Sequence, residues 1–179
     1  MTGDAQATGP GPAAVLVGPM GAGKTTAGRA LAERLGTTFR DTDADVVAAV
    51  GKPIARIFAD EGEPYFRDLE RRAVRVALES HTGVLALGGG AILDTGTRKL
   101  LAGLSVVFLE VDADEAVRRM AGDASRPLLA VNLRTRWRGL MSERRPLYEE
   151  VARTVVRSDG RTPDAVAERI LDALSPARG

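Results

Sequence analysis

The residues Gly18-Pro19-Met20-Gly21-Ala22-Gly23-Lys24-Thr25 have the types and spacing of a phosphate-binding loop. A glycine, four residues and then Gly-Lys-Thr let successive backbone N–H groups converge on phosphate oxygens, in conformations that side chains would block. Lys24 reaches the β- and γ-phosphates of a nucleoside triphosphate, and Thr25 ligates Mg²⁺. A chain with this content of glycine, lysine, serine and threonine is expected to hold about 0.004 such matches by chance.

A phosphate loop defines a donor and leaves the acceptor open. Asp41 and Asp43, two residues apart, could place one carboxylate near Mg²⁺ and the other near an acceptor hydroxyl as orienter or base. The same spacing also describes an aspartate-rich turn that caps a helix. Gly88-Gly89-Gly90 follows a continuous apolar run, where three glycines cost entropy; either a ligand approaches the backbone there or the chain turns tightly.

The elements that must position these residues follow from periodicity. Ala13 to Val17 reads as a strand opening into the loop, and Ala27, Ala30, Leu31 and Leu35 recur at helical spacing behind it. A weak strand over Thr37 to Arg40 leads to the aspartates, and Ala44 to Val50 forms a short helix that Gly51 stops. Helices are expected over Ile54 to Ala59 and Pro64 to Leu78, the latter with Phe66, Leu69, Ala73, Val76 and Ala77 on one stripe. Val84 to Leu87, Val106 to Glu110 and Thr154 to Arg157 read as strands; Thr95 to Leu101, Asp114 to Met120, Leu133 to Glu143 and Pro163 to Leu174 read as helices. Pro146 should start a separate turn, and Ala121 to Asn132, without periodicity, reads as a loop. Strand and helix alternate, which implies an α/β fold with a parallel sheet, helices on both faces, and ligands at the carboxyl ends of the strands.

These 179 residues carry a net charge of +1, without the basic excess of a nucleic-acid binder. With no cysteine and His81 as the one histidine, any metal must be held by oxygen. There is no signal-peptide pattern and no run long enough to span a bilayer. The reading is a cytoplasmic protein with a disordered segment 1–12, one domain over 13–175 and a short tail, 176–179.

Taken together, these residues resemble the shikimate kinase family. The resemblance lies in Gly18 to Thr26, Asp41-Thr42-Asp43, Ile57-Phe58 with Phe66-Arg67 and Glu70, Leu87 to Ala91, Arg126-Pro127-Leu128-Leu129, and Arg144 with Pro146-Leu147-Tyr148, in order along residues 13 to 174. It implies a P-loop kinase fold, a five-stranded parallel sheet with a lid near 121–133 and a substrate-binding helical region near 43–72. The implied reaction is Mg²⁺-dependent transfer of the ATP γ-phosphate to the 3-hydroxyl of shikimate, a step toward chorismate and the aromatic amino acids. ATP would contact Gly21, Ala22, Gly23, Lys24, Thr25 and Thr26, with Arg126 swinging over the phosphates from the lid and Arg119 and Arg161 on the adenine side. Thr25 would ligate Mg²⁺ directly and Asp41 mainly through water. Asp43 would be base or orienter, so that Lys24, Asp43 and Arg126 are the catalytic set. Arg67 and Arg144 would clamp the substrate carboxylate beside Gly88, Gly89 and Gly90, with the Gly89 backbone meeting a ring hydroxyl. Arg145 is the alternative to Arg144, since a shift of one residue exchanges them.

Two other readings remain at this level: another small P-loop kinase of the gluconate or nucleoside monophosphate type, or a nucleotide-binding module without catalysis. ATP and shikimate are the expected partners, with neither nucleic acid nor membrane. A monomer is the default assembly. Arg71, Arg72 and Arg75 are assigned to an exposed helix face, and Trp137 and His81 receive no role.

Overall fold

A computed structural model describes residues 10–121 and 127–176, apart from the side chains of residues 127–131. Five parallel strands, β1 (Ala14–Val17), β2 (Phe39–Asp41), β3 (Val84–Ala86), β4 (Val106–Glu110) and β5 (Thr154–Arg157), form one sheet in the order β2-β3-β1-β4-β5. Every residue of β1 and β3 is buried, as expected of central strands covered on both faces. The crossover from β1 leads to one side of the sheet, to β2, and that from β3 to the other side, to β4. Neighbouring strands whose connections diverge leave a crevice at their carboxyl ends. That crevice lies between the phosphate loop after β1 and the glycine run after β3.

Helices α1 (Lys24–Arg34) and α8 (Pro163–Leu174) pack together on one face. On the other lie α4 (Glu63–Ser80), α5 (Thr95–Leu101) and α7 (Pro127–Val151). The short helices α2 (Thr42–Val50) and α3 (Ile54–Glu61) pack on α4, and α6 (Ala113–Ala121) packs on α7. The main core surrounds the sheet. Val46, Ile57 and Phe66, joined by Ile54, Phe58 and Leu69, form a separate small cluster that holds α2, α3 and α4 to one another. Among the described residues no helix is long and apolar enough to cross a membrane.

Three expectations change. On α4 the residues turned to the core are Phe66, Glu70, Val74 and Ala77, and Val76 is exposed. The helix serves two surfaces: Leu69 and Ala73 face the small cluster, while Val74 and Ala77 face the sheet, so one stripe does not describe it. Leu35, expected on the inner face of α1, caps that helix and is largely exposed. Finally, α7 begins at Pro127 and runs without a break through Pro146. Trp137, Met141 and Tyr148 are buried along it at spacings of four and seven residues. This packing outweighs the single backbone hydrogen bond that a proline removes. Of the expected lid, residues 122–126 lie outside the described residues.

Candidate active site

The loop after β1 owes its shape to glycine. Gly21 and Gly23 have φ of 79° and 83°, and a Cβ at Gly21 would stand 2.7 Å from the Ala116 carbonyl oxygen. Gly23 is the N-cap of α1, so the helix directs its positive dipole end into the loop. The Lys24 ammonium donates to the carbonyls of Gly18 (2.7 Å) and Pro19 (3.0 Å). Burial pushes its pKa down to about 8; Asp43 and Asp41 oppose that shift, and Arg144 adds to it.

Asp41 fills the helix-capping role that its spacing allowed and also meets Thr25. It caps α2, accepting from the Asp43 N–H at 2.9 Å, while its other carboxylate oxygen accepts from the Thr25 hydroxyl at 3.2 Å. Thr25 and Asp41 thus offer two hard oxygen donors side by side, which suits Mg²⁺ sharing its remaining positions with phosphate and water. Among the described residues there is no cluster of three or more His, Cys, Asp or Glu side chains around a common point, so a cation here would depend on its phosphate partners. Asp43, in the first turn of α2, has its pKa raised by burial and by the nearby Asp41 charge, while Lys24 and then Arg67 pull it back.

Gly88, Gly89 and Gly90 have no positive φ, so space rather than conformation explains them. A Cβ at Gly88 would lie 2.4 Å from Asp43 Oδ1 and 2.9 Å from Glu70 Oε2; one at Gly90 would lie 2.4 Å from Arg67 Nη1. The close neighbours at these two positions are side chains of the protein itself. Gly89 differs, since a Cβ there meets only ordinary contacts, at 3.5 Å or more, with Gly18, Arg144 and Tyr148.

Arg67 is braced by Glu70 (2.7 Å) and Glu63 (3.3 Å). Glu70 is buried, and burial raises its pKa against the opposing pull of the Arg67 hydrogen bond. Arg144 lies on the inward stripe of α7, where the Tyr148 hydroxyl accepts from it and donates to the Gly89 carbonyl at 2.5 Å. Burial raises the Tyr148 pKa to about 12, and its ring stacks on Phe108 with centroids 5.0 Å apart. Arg145 points elsewhere, pairing with Glu110 at 2.5 Å and with Glu149 at 3.7 Å. The two arginines are separated by their partners, Tyr148 for Arg144 and Glu110 for Arg145, since positions seven and eight residues after Trp137 share a helix face.

Arg119 spans from the phosphate loop to the turn after β5, donating to the Gly21 carbonyl (3.1 Å) and to Ser158 Oγ (3.0 Å) and O (2.8 Å). With Arg161, Ser158, Gly23 and Thr26 it lines a groove of about 140 Å³ beside α1. A hollow of about 490 Å³ joins the two halves of the site, lined by Gly21, Gly23, Lys24, Thr25 and Thr26 together with Asp41, Asp43, Leu87 and Arg119. A larger hollow of about 750 Å³, between α5 and the segment entering β5, contains none of these groups. Arg126 lies outside the described residues. Arg71, Arg72 and Arg75 are exposed, and His81 Nε2 meets the Val84 carbonyl at 3.0 Å, in keeping with a structural contact. The residues that sequence reasoning left without a role are Glu70, Tyr148 and Trp137. Glu70 and Tyr148 stand three and four residues from Arg67 and Arg144, at helical pairing distance.

Comparison with known proteins agrees with this geometry. The family model for shikimate kinase matches residues 20–175. A shikimate kinase of Streptomyces avermitilis is 63% identical over 163 residues, which span 91% of this chain and 95% of that protein. Among solved structures, shikimate kinase from Acinetobacter baumannii in complex with shikimate superposes with a TM-score of 0.82 at 40% identity, covering 89% of this chain and 90% of that one. A gluconokinase from Sinorhizobium meliloti, at TM-score 0.56 and 22% identity, covers 92% of this chain and 91% of its own, and shares the fold. With its phosphate loop and paired aspartates around one hollow, and its match to the family model and to close relatives, the chain belongs to the shikimate kinase family.

Proposed function

We propose that this protein transfers the γ-phosphate of ATP to the 3-hydroxyl of shikimate, giving shikimate 3-phosphate and ADP. The observation that carries the reading is the hollow in which Lys24 and Thr25 on the donor side meet Asp43 on the acceptor side. Phosphoryl transfer asks little covalent chemistry of a protein; it asks for in-line placement and neutralised charge. Asp43, made more basic by burial, orients the acceptor hydroxyl and takes its proton as the new P–O bond forms. Lys24 and the N–H groups of Gly21 to Thr26 hold the phosphates. Thr25 directly, and Asp41 through water, hold Mg²⁺, which neutralises phosphate charge when bound.

On the acceptor side, Arg67 and Arg144 pair with the single carboxylate of shikimate, and the backbone at Gly89, where space remains, meets a ring hydroxyl. Arg119 and Arg161 border the base of ATP, and Arg126 supplies further positive charge over the phosphates. A monomer acting in the cytoplasm is the assembly and place we assign to it. A coupled assay of ADP release over shikimate, gluconate and nucleoside monophosphates tests the reading. Turnover that requires both shikimate and Mg²⁺ is expected; turnover of another acceptor with shikimate left untouched would overturn it.

A further inference from the structure

Four successive carbonyls of the phosphate loop are held by side chains from three different helices. Lys24 of α1 takes those of Gly18 and Pro19, Arg119 of α6 takes that of Gly21, and the indole N–H of Trp137, on α7, donates to the Met20 carbonyl at 2.9 Å. Trp137 is 7% exposed and packs with Met141 in the main core, so its donor is fixed in place, whereas the Met20 side chain is 61% exposed and anchors little. In a planar trans peptide the carbonyl of one residue and the N–H of the next point in opposite directions. A carbonyl pinned outward therefore turns the following N–H inward.

We propose that Trp137 is a positioning residue for the nucleotide: by holding the Met20 carbonyl it fixes the Met20–Gly21 peptide plane with the Gly21 N–H facing the phosphates. Arg119 holds the next carbonyl, that of Gly21, but the Ala22 N–H that follows it donates to the Pro19 carbonyl at 3.3 Å, and Arg119 carries a charge and also holds Ser158. Trp137 acts through one neutral hydrogen bond, and this makes its contribution separable. With that bond lost, the Met20 carbonyl is no longer held by Trp137, and only the Arg119 bond to the Gly21 carbonyl still restrains this glycine, whose φ is 79°. The consequence is expected on the donor side, because the indole N–H of Trp137 is committed to Met20 of the phosphate loop. This inference rests on the donor half of the proposed function.

Two measurements test it. Trp137 is the only tryptophan of the chain, so its indole N–H gives one resonance in a ¹H–¹⁵N spectrum. ADP is expected to shift that resonance, and shikimate alone to leave it in place. Trp137→Phe, which keeps an aromatic ring and removes the donor, is expected to weaken ADP binding about 3- to 10-fold by calorimetry while shikimate affinity stays within twofold. An indole resonance indifferent to saturating ADP, an unchanged ADP affinity in the variant, or a joint loss of ADP and shikimate affinity that marks a packing role would each overturn it. Wild-type protein that fails to bind ADP would overturn this inference and the proposed function together. Protein that binds ADP yet leaves shikimate untouched would overturn only the proposed function.

Discussion

Around Gly18 to Thr26 the groups offered to a ligand are mostly backbone N–H groups, set by glycine conformations and by the start of α1 on a central, fully buried strand. Around Gly88 to Gly90 they are side chains, Asp43, Arg67 and Arg144, carried by α2, α4 and α7 and pressed against bare backbone. A backbone site is as rigid as the sheet that bears it. The side-chain site depends on the small cluster of Val46, Ile57 and Phe66 and on mutual bracing by Glu63, Glu70 and Tyr148. The first arrangement suits a donor common to many enzymes, and the second allows one acceptor to be selected by a few substitutions.

The sharpest break of this comparison is Asp43→Asn. Turnover is expected to fall roughly 10²- to 10⁴-fold in the coupled assay, with ADP affinity by calorimetry nearly unchanged. Turnover near wild type would remove Asp43 from the chemistry. Next in size is Arg67→Ala, which under the proposed function takes a charged partner from the substrate carboxylate. Shikimate affinity should drop by about 2 to 5 kcal/mol, and that of ADP hardly at all. Arg145→Ala, tied to Glu110 instead, should leave both within about threefold.

The glycine run supplies a finer contrast. Gly88→Ala drives a methyl group into Asp43 and Glu70, and a displacement on the order of 1 Å at the base should cost about 10² in kcat. Gly89→Ala has room in the free protein and should raise only the KM for shikimate. Equal effects at the two positions would contradict the packing explanation.

The donor side also predicts a pH dependence. Lys24 is charged below its pKa and neutral above it, and burial brings that pKa from its ordinary value down to about 8. The value of kcat/KM for ATP, which reports the free enzyme, should therefore decline above pH 8 by roughly tenfold per unit. The raised Asp43 carboxyl should displace the acid limb upward from the usual aspartate range, since the base works only when deprotonated. A flat alkaline profile to pH 10 would remove the Lys24 part of the account.

The difference in materials also explains what could be read from the sequence. A backbone site needs particular residue types at fixed spacing along one segment, and so Gly21, Gly23, Lys24 and Thr25 are legible directly. Strands β4 and β5 and helices α5 and α8 were legible for a similar reason, each having its own period and end signals. The acceptor residues come from four distant segments: Asp43 and Gly88 to Gly90 stood out as open candidates from their own spacing, whereas Arg67 and Arg144 emerged only through family resemblance. Glu70 and Val74 were hidden because α4 packs on two surfaces at once. The Trp137 bond to Met20 joins residues far apart in the chain, and no local pattern announces it.

Helix α7 touches both halves, through Trp137 at the phosphate loop and through Arg144 and Tyr148 at Gly89, so their independence is the point most exposed to test. Calorimetric titration of Lys24→Ala and Arg144→Ala, each with ADP and with shikimate, measures it directly. The division of labour predicts that Lys24→Ala loses ADP and keeps shikimate, and that Arg144→Ala does the reverse. Loss of both ligands in both variants would contradict it.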